Sequence, residues 1–188
     1  MDINDYRKVA HRGLYNNEGG IIENTIPAFE KAINEAVAIE FDIRYTYDKK
    51  IVVFHDNDLK RLANIDKKVE EYTLEELKKV KLLNTNLIIP TLDEVLDLVD
   101  GKVPLLIEIE SESKESSIEN LLVERLKKYK GKYIVESFNP FSIFNVKQLD
   151  KGISVGQLVK GEFSIFKEAI LKAIDLNFKP NFLAYSID

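Results

Sequence analysis

An α/β fold built on a parallel sheet is what this sequence predicts, and three observations carry that expectation. Short apolar runs alternate with stretches of helical period along most of the chain. Several helical stretches open on start signals, with a proline or a capping box where the first turn needs one. A chain of 188 residues, 45% hydrophobic and 31% charged, is long enough to bury a core as one domain.

The elements follow in order. A first strand over Lys8–Ala10 delivers His11 at its carboxyl end, and a polar, glycine-containing loop covers Leu14–Ile22. A helix is expected from Ile26 to about Ala36, with Thr25 as N-cap and Pro27 in the first turn, where its missing N–H costs nothing. The second strand is Ala38–Tyr45, and Ile51–Phe54 places His55. From about Leu59 to Asp100 the pattern is mostly helical. Thr73-Leu74-Glu75-Glu76 and Thr91-Leu92-Asp93-Glu94 read as capping boxes, and Asp100-Gly101 ends the helix that begins at the second. Pro104–Glu110 is a strand, apolar at first and acidic at its carboxyl end. Helices at Ser117–Tyr129, Phe141–Leu149 and Phe163–Asn177 then alternate with strands at Tyr133–Ser137, Ser154–Val159 and Phe182–Ile187. That makes about six strand-helix steps, all parallel, with no internal repeat and no low-complexity linker.

Composition excludes several functions. The chain has no cysteine, which removes disulfides and thiol chemistry and fits a reducing compartment. A net charge of -5 with mixed signs argues against nucleic acid as the main partner, and the lysine-rich patches Glu75–Lys81 and Glu124–Lys132 read as solvated helix faces. Met1–Lys8 lacks the apolar run of a signal peptide, and no segment approaches the length of a membrane span. The expected location is cytoplasmic.

Two stretches stand out, Ile39-Glu40-Phe41-Asp42-Ile43-Arg44 and Ile51-Val52-Val53-Phe54-His55-Asp56. In an extended segment Glu40, Asp42 and Arg44 leave one face while Phe41, Ile43 and Tyr45 leave the other. On periodicity alone, a solvated antiparallel strand reads the same way. The chain's two histidines, His11 and His55, each sit just after an apolar run, as a pair at strand ends would.

His11-Arg12-Gly13, Glu23-Asn24-Thr25, Glu40-Phe41-Asp42-Ile43-Arg44, the turn around Asp48, and Val52-Val53-Phe54-His55-Asp56 followed by Leu59 and Arg61 resemble, in order, the signature of the glycerophosphodiester phosphodiesterases. A weaker match runs on to the carboxyl terminus. The resemblance implies a (β/α)8 TIM-barrel fold, here incomplete, because that barrel takes about 250 residues and the last two strand-helix units have no counterpart. In such a barrel the site lies at the carboxyl ends of the strands, where His11, Glu40, Asp42 and Glu108 all fall. An open barrel would expose its first and last strands, and a homodimer covering that edge is a possible partner arrangement.

What the resemblance implies for the residues is specific. His11 and His55 carry the general acid and base roles, in an order that stays open, and Arg12 binds the substrate phosphate. Glu40, Asp42 and Glu108 are the metal ligands, and oxygen-only ligands favour Mg2+ or Ca2+. The implied reaction is hydrolysis of a small-molecule glycerophosphodiester to glycerol 3-phosphate and an alcohol. The alternative is a catalytically weak relative, or an incomplete domain, that binds a phosphate-bearing ligand or a protein. One position departs from the family pattern: Glu110 stands where a lysine is usual. Sharing a face with Glu108, it would weaken phosphate binding unless a second cation or an outward rotamer relieves it, and Glu110→Lys is then expected to raise affinity.

Overall fold

In a computed structural model of the chain, residues 3–111, 117–160 and 180–186 are described. Six parallel strands form the sheet: β1 (Val9–His11), β2 (Ala38–Tyr45), β6 (Leu105–Ile109), β7 (Tyr133–Ser137), β8 (Val155–Lys160) and β9 (Phe182–Ser186), neighbours in that order. β3 (Ile51–Val53) turns back antiparallel onto β2. The architecture is a partial (β/α) barrel. Among the described residues β1 and β9 each pair on one side only, so the sheet is open at both edges.

β2 is the second strand in the sheet and is buried along most of its length, which settles the ambiguity of its alternating pattern against a solvated strand. Ile39, Phe41 and Ile43 are fully buried against α1 (Ile26–Asn34) and α4 (Leu92–Val99), with the Phe29 and Phe41 rings 5.8 Å apart. α4 contributes Leu92, Val95, Leu96 and Val99, one apolar stripe at helical spacing. The opposite face of β2 carries Glu40 and Asp42 into the barrel interior. A second apolar cluster, built from Ile22, Val52, Phe54, Leu59, Leu77 and Ile89 among others, supports the loop that follows β3.

Both capping boxes form: the hydroxyls of Thr73 and Thr91 accept from Glu76 N–H and Glu94 N–H, and both glutamates reach back. Thr25 does occupy the N-cap position of α1, yet its hydroxyl makes no cap bond and donates instead to the Ile22 carbonyl. The larger correction concerns residues 58–71. They are not mainly helical: β4 (Asp58–Leu59) and β5 (Ile65–Lys68) pair antiparallel around the single-turn α2 (Lys60–Ala63). One more short helix, α3 (Leu74–Leu77), follows, so the lysine-rich stretch after it is mostly non-helical. α5 (Ser117–Leu126) and α6 (Pro140–Leu149) fall where expected. The helix anticipated at Phe163–Asn177 lies outside the described residues. No helix among the described residues is long and apolar enough to cross a membrane.

Candidate active site

The parallel register assembles the site. His11 is paired with Glu40, Asp42 with Glu108, and Glu108 with Glu136. Residues in register on parallel strands face the same side, and neighbouring strands lie about 4.8 Å apart. Asp42, Glu108 and Glu136 therefore form a row of carboxylates across three strands, with Glu40 and His11 paired beside it, two residues nearer the amino end of β2.

Each carboxylate is buried, with Asp42 fully enclosed and Glu40, Glu136 and Glu108 at 4%, 4% and 7% exposure. Burial, reinforced by the Asp42 charge and then by Glu108, pushes the Glu40 carboxyl well above the usual range, although the Arg12 N–H donates to its Oε2 at 2.9 Å. Burial, then Asp42 and Glu110, does the same to Glu108. Glu136 is pushed up to about 7 by burial and Asp42. Two oxygens in this group, Glu40 Oε1 and Asp42 Oδ1, are buried without a hydrogen-bond partner. Ligand atoms of Glu40, Asp42 and Glu108 all lie within 4.8 Å of one another. Orphaned oxygens converging at that spacing fit a divalent cation.

Around this row the loops supply nitrogen. The turn after β1 places Arg12 at a positive φ of 58°, with Gly13 following at 81°. Arg12 Nη1 donates to Glu23 Oε1 at 2.8 Å, and its Nε lies 3.3 Å from Asp42 Oδ2. Glu23 is itself buried and also takes a bidentate pair from Arg61, 2.7 Å on each oxygen. Burial opposes ionisation there, but the bonds from Arg61, Asn17 and Arg12 prevail and hold its pKa at about 2. Asn24, also at positive φ, donates to Asp42 Oδ2 at 2.7 Å.

His11 keeps 64% of its side chain exposed, with Nε2 3.9 Å from Glu40 Oε2. Partial desolvation and the Arg12 charge lower its pKa, and His55 contributes in the same direction. His55 follows β3, where Phe54 N–H donates to the Asp42 carbonyl. Its Nδ1 lies 2.6 Å from Asp56 Oδ1. Despite partial burial, the bonds from His55 and Arg61 hold Asp56 far below the carboxylate range.

Glu110 points into the mouth as the strand period requires, its Oε1 3.6 Å from His55 Nε2. Arg44 is the second cation that relieves it: Nη2 donates to Glu110 Oε2 at 3.2 Å, while Nη1 and Nε hold the Glu110 and His55 carbonyls at 3.1 and 2.7 Å. The expected gain in affinity from Glu110→Lys no longer follows, because a lysine there would face Arg44. All six residues singled out in the sequence, His11, Arg12, Glu40, Asp42, His55 and Glu108, line this one mouth. Sequence reasoning passed over Glu23, Asn24, Asp56 and Arg61 as site residues although it quoted them, and it missed Glu136, whose only signal is its register opposite Glu108.

A family profile described as the glycerophosphoryl diester phosphodiesterase family matches residues 11–176. This chain belongs to that family. Among family members it is 35% identical over 164 residues to a glycerophosphodiester phosphodiesterase of Caldanaerobacter subterraneus subsp. tengcongensis, covering 80% of this chain and 65% of the relative. A glycerophosphodiester phosphodiesterase of Bacillus subtilis is 32% identical over 177 residues, 82% of this chain and 59% of its own length. The chain thus spans about two-thirds or less of these two relatives. Two of the solved structures that superpose on it are informative. A Thermotoga maritima glycerophosphodiester phosphodiesterase superposes with a TM-score of 0.72 at 31% identity, covering 94% of this chain and 72% of that one. An Oleispira antarctica phosphodiesterase in complex with the product sn-glycerol-3-phosphate does so with a TM-score of 0.80 at 26% identity, covering 94% and 73%.

Proposed function

We propose that this chain hydrolyses glycerophosphodiesters to glycerol 3-phosphate and an alcohol, with a divalent cation on Glu40, Asp42 and Glu108 and with His11 and His55 as its acid–base pair. The observation that carries the reading is the convergence of two imidazoles, Arg12 and the carboxylate set at the carboxyl ends of parallel strands, in a chain of this family. The product bound in the Oleispira relative supports the same substrate class.

The parts fit the chemistry. One imidazole takes the proton of the attacking group and the other gives a proton to the leaving oxygen, a task for which a pKa near neutrality suits histidine. With Asp56 ionised and hydrogen-bonded to Nδ1, the His55 ring is oriented with Nε2 toward the mouth. Arg12, anchored by Glu23, brings positive charge to the phosphoryl oxygens. Oxygen-only donors favour Mg2+ or Ca2+, and a bound cation would offset the carboxylate charge and polarise the phosphoryl group.

The test is glycerol 3-phosphate release from glycerophosphocholine with and without Mg2+ or Ca2+. Cation-dependent release is expected, falling about 10²–10⁴-fold in His11→Ala and lost in Glu40→Ala. A second reading, a relative that binds a phosphate-bearing ligand or a protein across its open edge without turnover, draws on Glu110, Glu136 and the edges of β1 and β9, each paired on one side only among the described residues. Cation binding without release would favour that second reading.

A further inference from the structure

Glu40, Asp42 and Glu108 do not exhaust the convergent ligand atoms. Asp42, His55 and Glu110 form a second set, with ligand atoms again within 4.8 Å of one another and with Asp42 common to both. Its three members share a pattern. In each, one donor atom is held by an outer partner, and Glu110 also shares a side-chain hydrogen bond with Glu108 of the first set. His55 Nδ1 is held by Asp56 at 2.6 Å, and Nε2 lies 3.6 Å from Glu110 Oε1. Glu110 Oε2 is held by Arg44 at 3.2 Å. Asp42 Oδ2 is held by Asn24 at 2.7 Å and lies 3.3 Å from Arg12 Nε, while Oδ1 is fully buried with no hydrogen-bond partner.

Outer partners that fix one atom of a ligand and leave the other to the metal are how metal sites orient their ligands, with a carboxylate behind a histidine as the recurring case. The 3.6 Å separation between Nε2 and Oε1 also suits two ligands on one ion, since bonds of about 2.0–2.1 Å at a tetrahedral angle place their ends about 3.4 Å apart. Among the described residues, seven carboxylates, Glu23, Glu40, Asp42, Asp56, Glu108, Glu110 and Glu136, meet three guanidiniums, Arg12, Arg44 and Arg61, at this site. That imbalance leaves room for more than one divalent cation.

We propose that Asp42, His55 and Glu110 form a second cation site that takes a borderline transition ion of the Zn2+ class, beside the oxygen-only set. Imidazole with two carboxylates is a donor set that Zn2+ binds well and that Mg2+ and Ca2+, which prefer all-oxygen ligands, do not. Glu110 creates this site, because a cationic side chain at that position would exclude a metal from it. An ion on Nε2 takes the lone pair that proton transfer needs, so Zn2+ holds His55 out of the acid–base pair while hard cations leave it free. That consequence for turnover rests on the proposed phosphodiesterase reading; the binding site itself does not.

The experiment uses the chain's two histidines as reporters. With Mg2+ saturating, Zn2+ is titrated into the 15N-labelled protein while the imidazole nitrogens are followed by NMR, with His11→Gln assigning the signals. One equivalent of Zn2+ is expected to shift His55 Nε2 and leave His11 in place. In Glu110→Gln the shift is expected to vanish, with Mg2+ affinity retained as the sign that the fold is intact. A shift on His11 in place of His55, no shift on either, or the same shift in Glu110→Gln would overturn the proposal. A chain that binds Zn2+ on His55 but turns over no glycerophosphodiester would refute the proposed function while leaving the second site standing.

Discussion

Glu23 carries more of the site than its place outside the cation sets suggests. One buried carboxylate takes hydrogen bonds from Arg12, Arg61 and Asn17, and through them it ties Arg12 to the loop that bears His55 and Asp56. Replacing it with glutamine would keep the shape and remove the charge, leaving two guanidiniums facing each other. Breaking a buried pair in this way costs about 3–5 kcal/mol, and the 45% exposure of the Arg61 side chain brings the expectation for Glu23→Gln to about 2 kcal/mol. Because the Glu23 pKa is held at about 2, against an ordinary value of 4.5, its contribution is fully present above pH 4.5 and lost as pH falls toward 2. Urea denaturation at pH 7 and at pH 3 checks both statements: the gap between wild type and variant should be wide at the first and narrow at the second.

At the scale of elements, the loop from β1 to α1 decides whether His11 and Arg12 reach their positions. Gly13 sits at φ 81°, and a Cβ there would come within 2.8–3.0 Å of Ala28 atoms, two of them backbone. Both backbone strain and overlap therefore oppose any side chain, and Gly13→Ala is expected to destabilise the fold by about 1–3 kcal/mol and to displace Arg12. Thermal unfolding measures the first effect. Weaker binding of inorganic phosphate by calorimetry, out of proportion to the stability loss, measures the second. This loop also marks how far local reasoning reaches. The strands were legible, Ala38–Tyr45 and Tyr133–Ser137 to the residue, because an alternating pattern in the first and a short run with β-branched residues in the second, each between turn signals, fit an extended chain. The capping boxes were legible because both partners lie within one turn. The β4/β5 hairpin was not: two short, mostly polar segments flank a helical turn, and their pairing depends on packing against the second core cluster. Five candidate site residues, His11, Arg12, Glu40, Asp42 and His55, could be named because they stand in ordered motifs, and Glu108 because it ends an apolar strand and matches the family pattern. Glu136 could not, since a lone acid at the end of an apolar strand looks solvent-facing until the register sets it beside Glu108.

The whole molecule pays for its carboxylate row in stability, and the pH dependence follows. Glu40, Glu108 and Glu136 are all raised above their ordinary values, Glu136 to about 7, mainly by burial. An acid whose folded pKa lies above its unfolded value binds more protons folded than unfolded, so its ionisation destabilises the fold as pH rises between the two. For Glu136 that window runs from 4.5 to about 7, worth about 3 kcal/mol at its upper end. Glu23 and Asp56 act in the opposite sense, with lowered values, and withdraw stability only under strongly acid conditions. In the presence of a chelator the melting temperature should therefore peak at about pH 5 and fall toward pH 8. Glu136→Gln should make the alkaline limb shallower, with Glu40 and Glu108 keeping the rest of it, while leaving the acid limb unchanged. A divalent cation binds the ionised carboxylates of the folded state and adds RT ln(1 + [L]/Kd), so millimolar Mg2+ or Ca2+ should raise the melting temperature more at pH 8 than at pH 5. A melting temperature that neither falls above pH 5 in chelator nor responds to cation at pH 8 would mean that the row is not the charged, cation-seeking cluster its geometry describes.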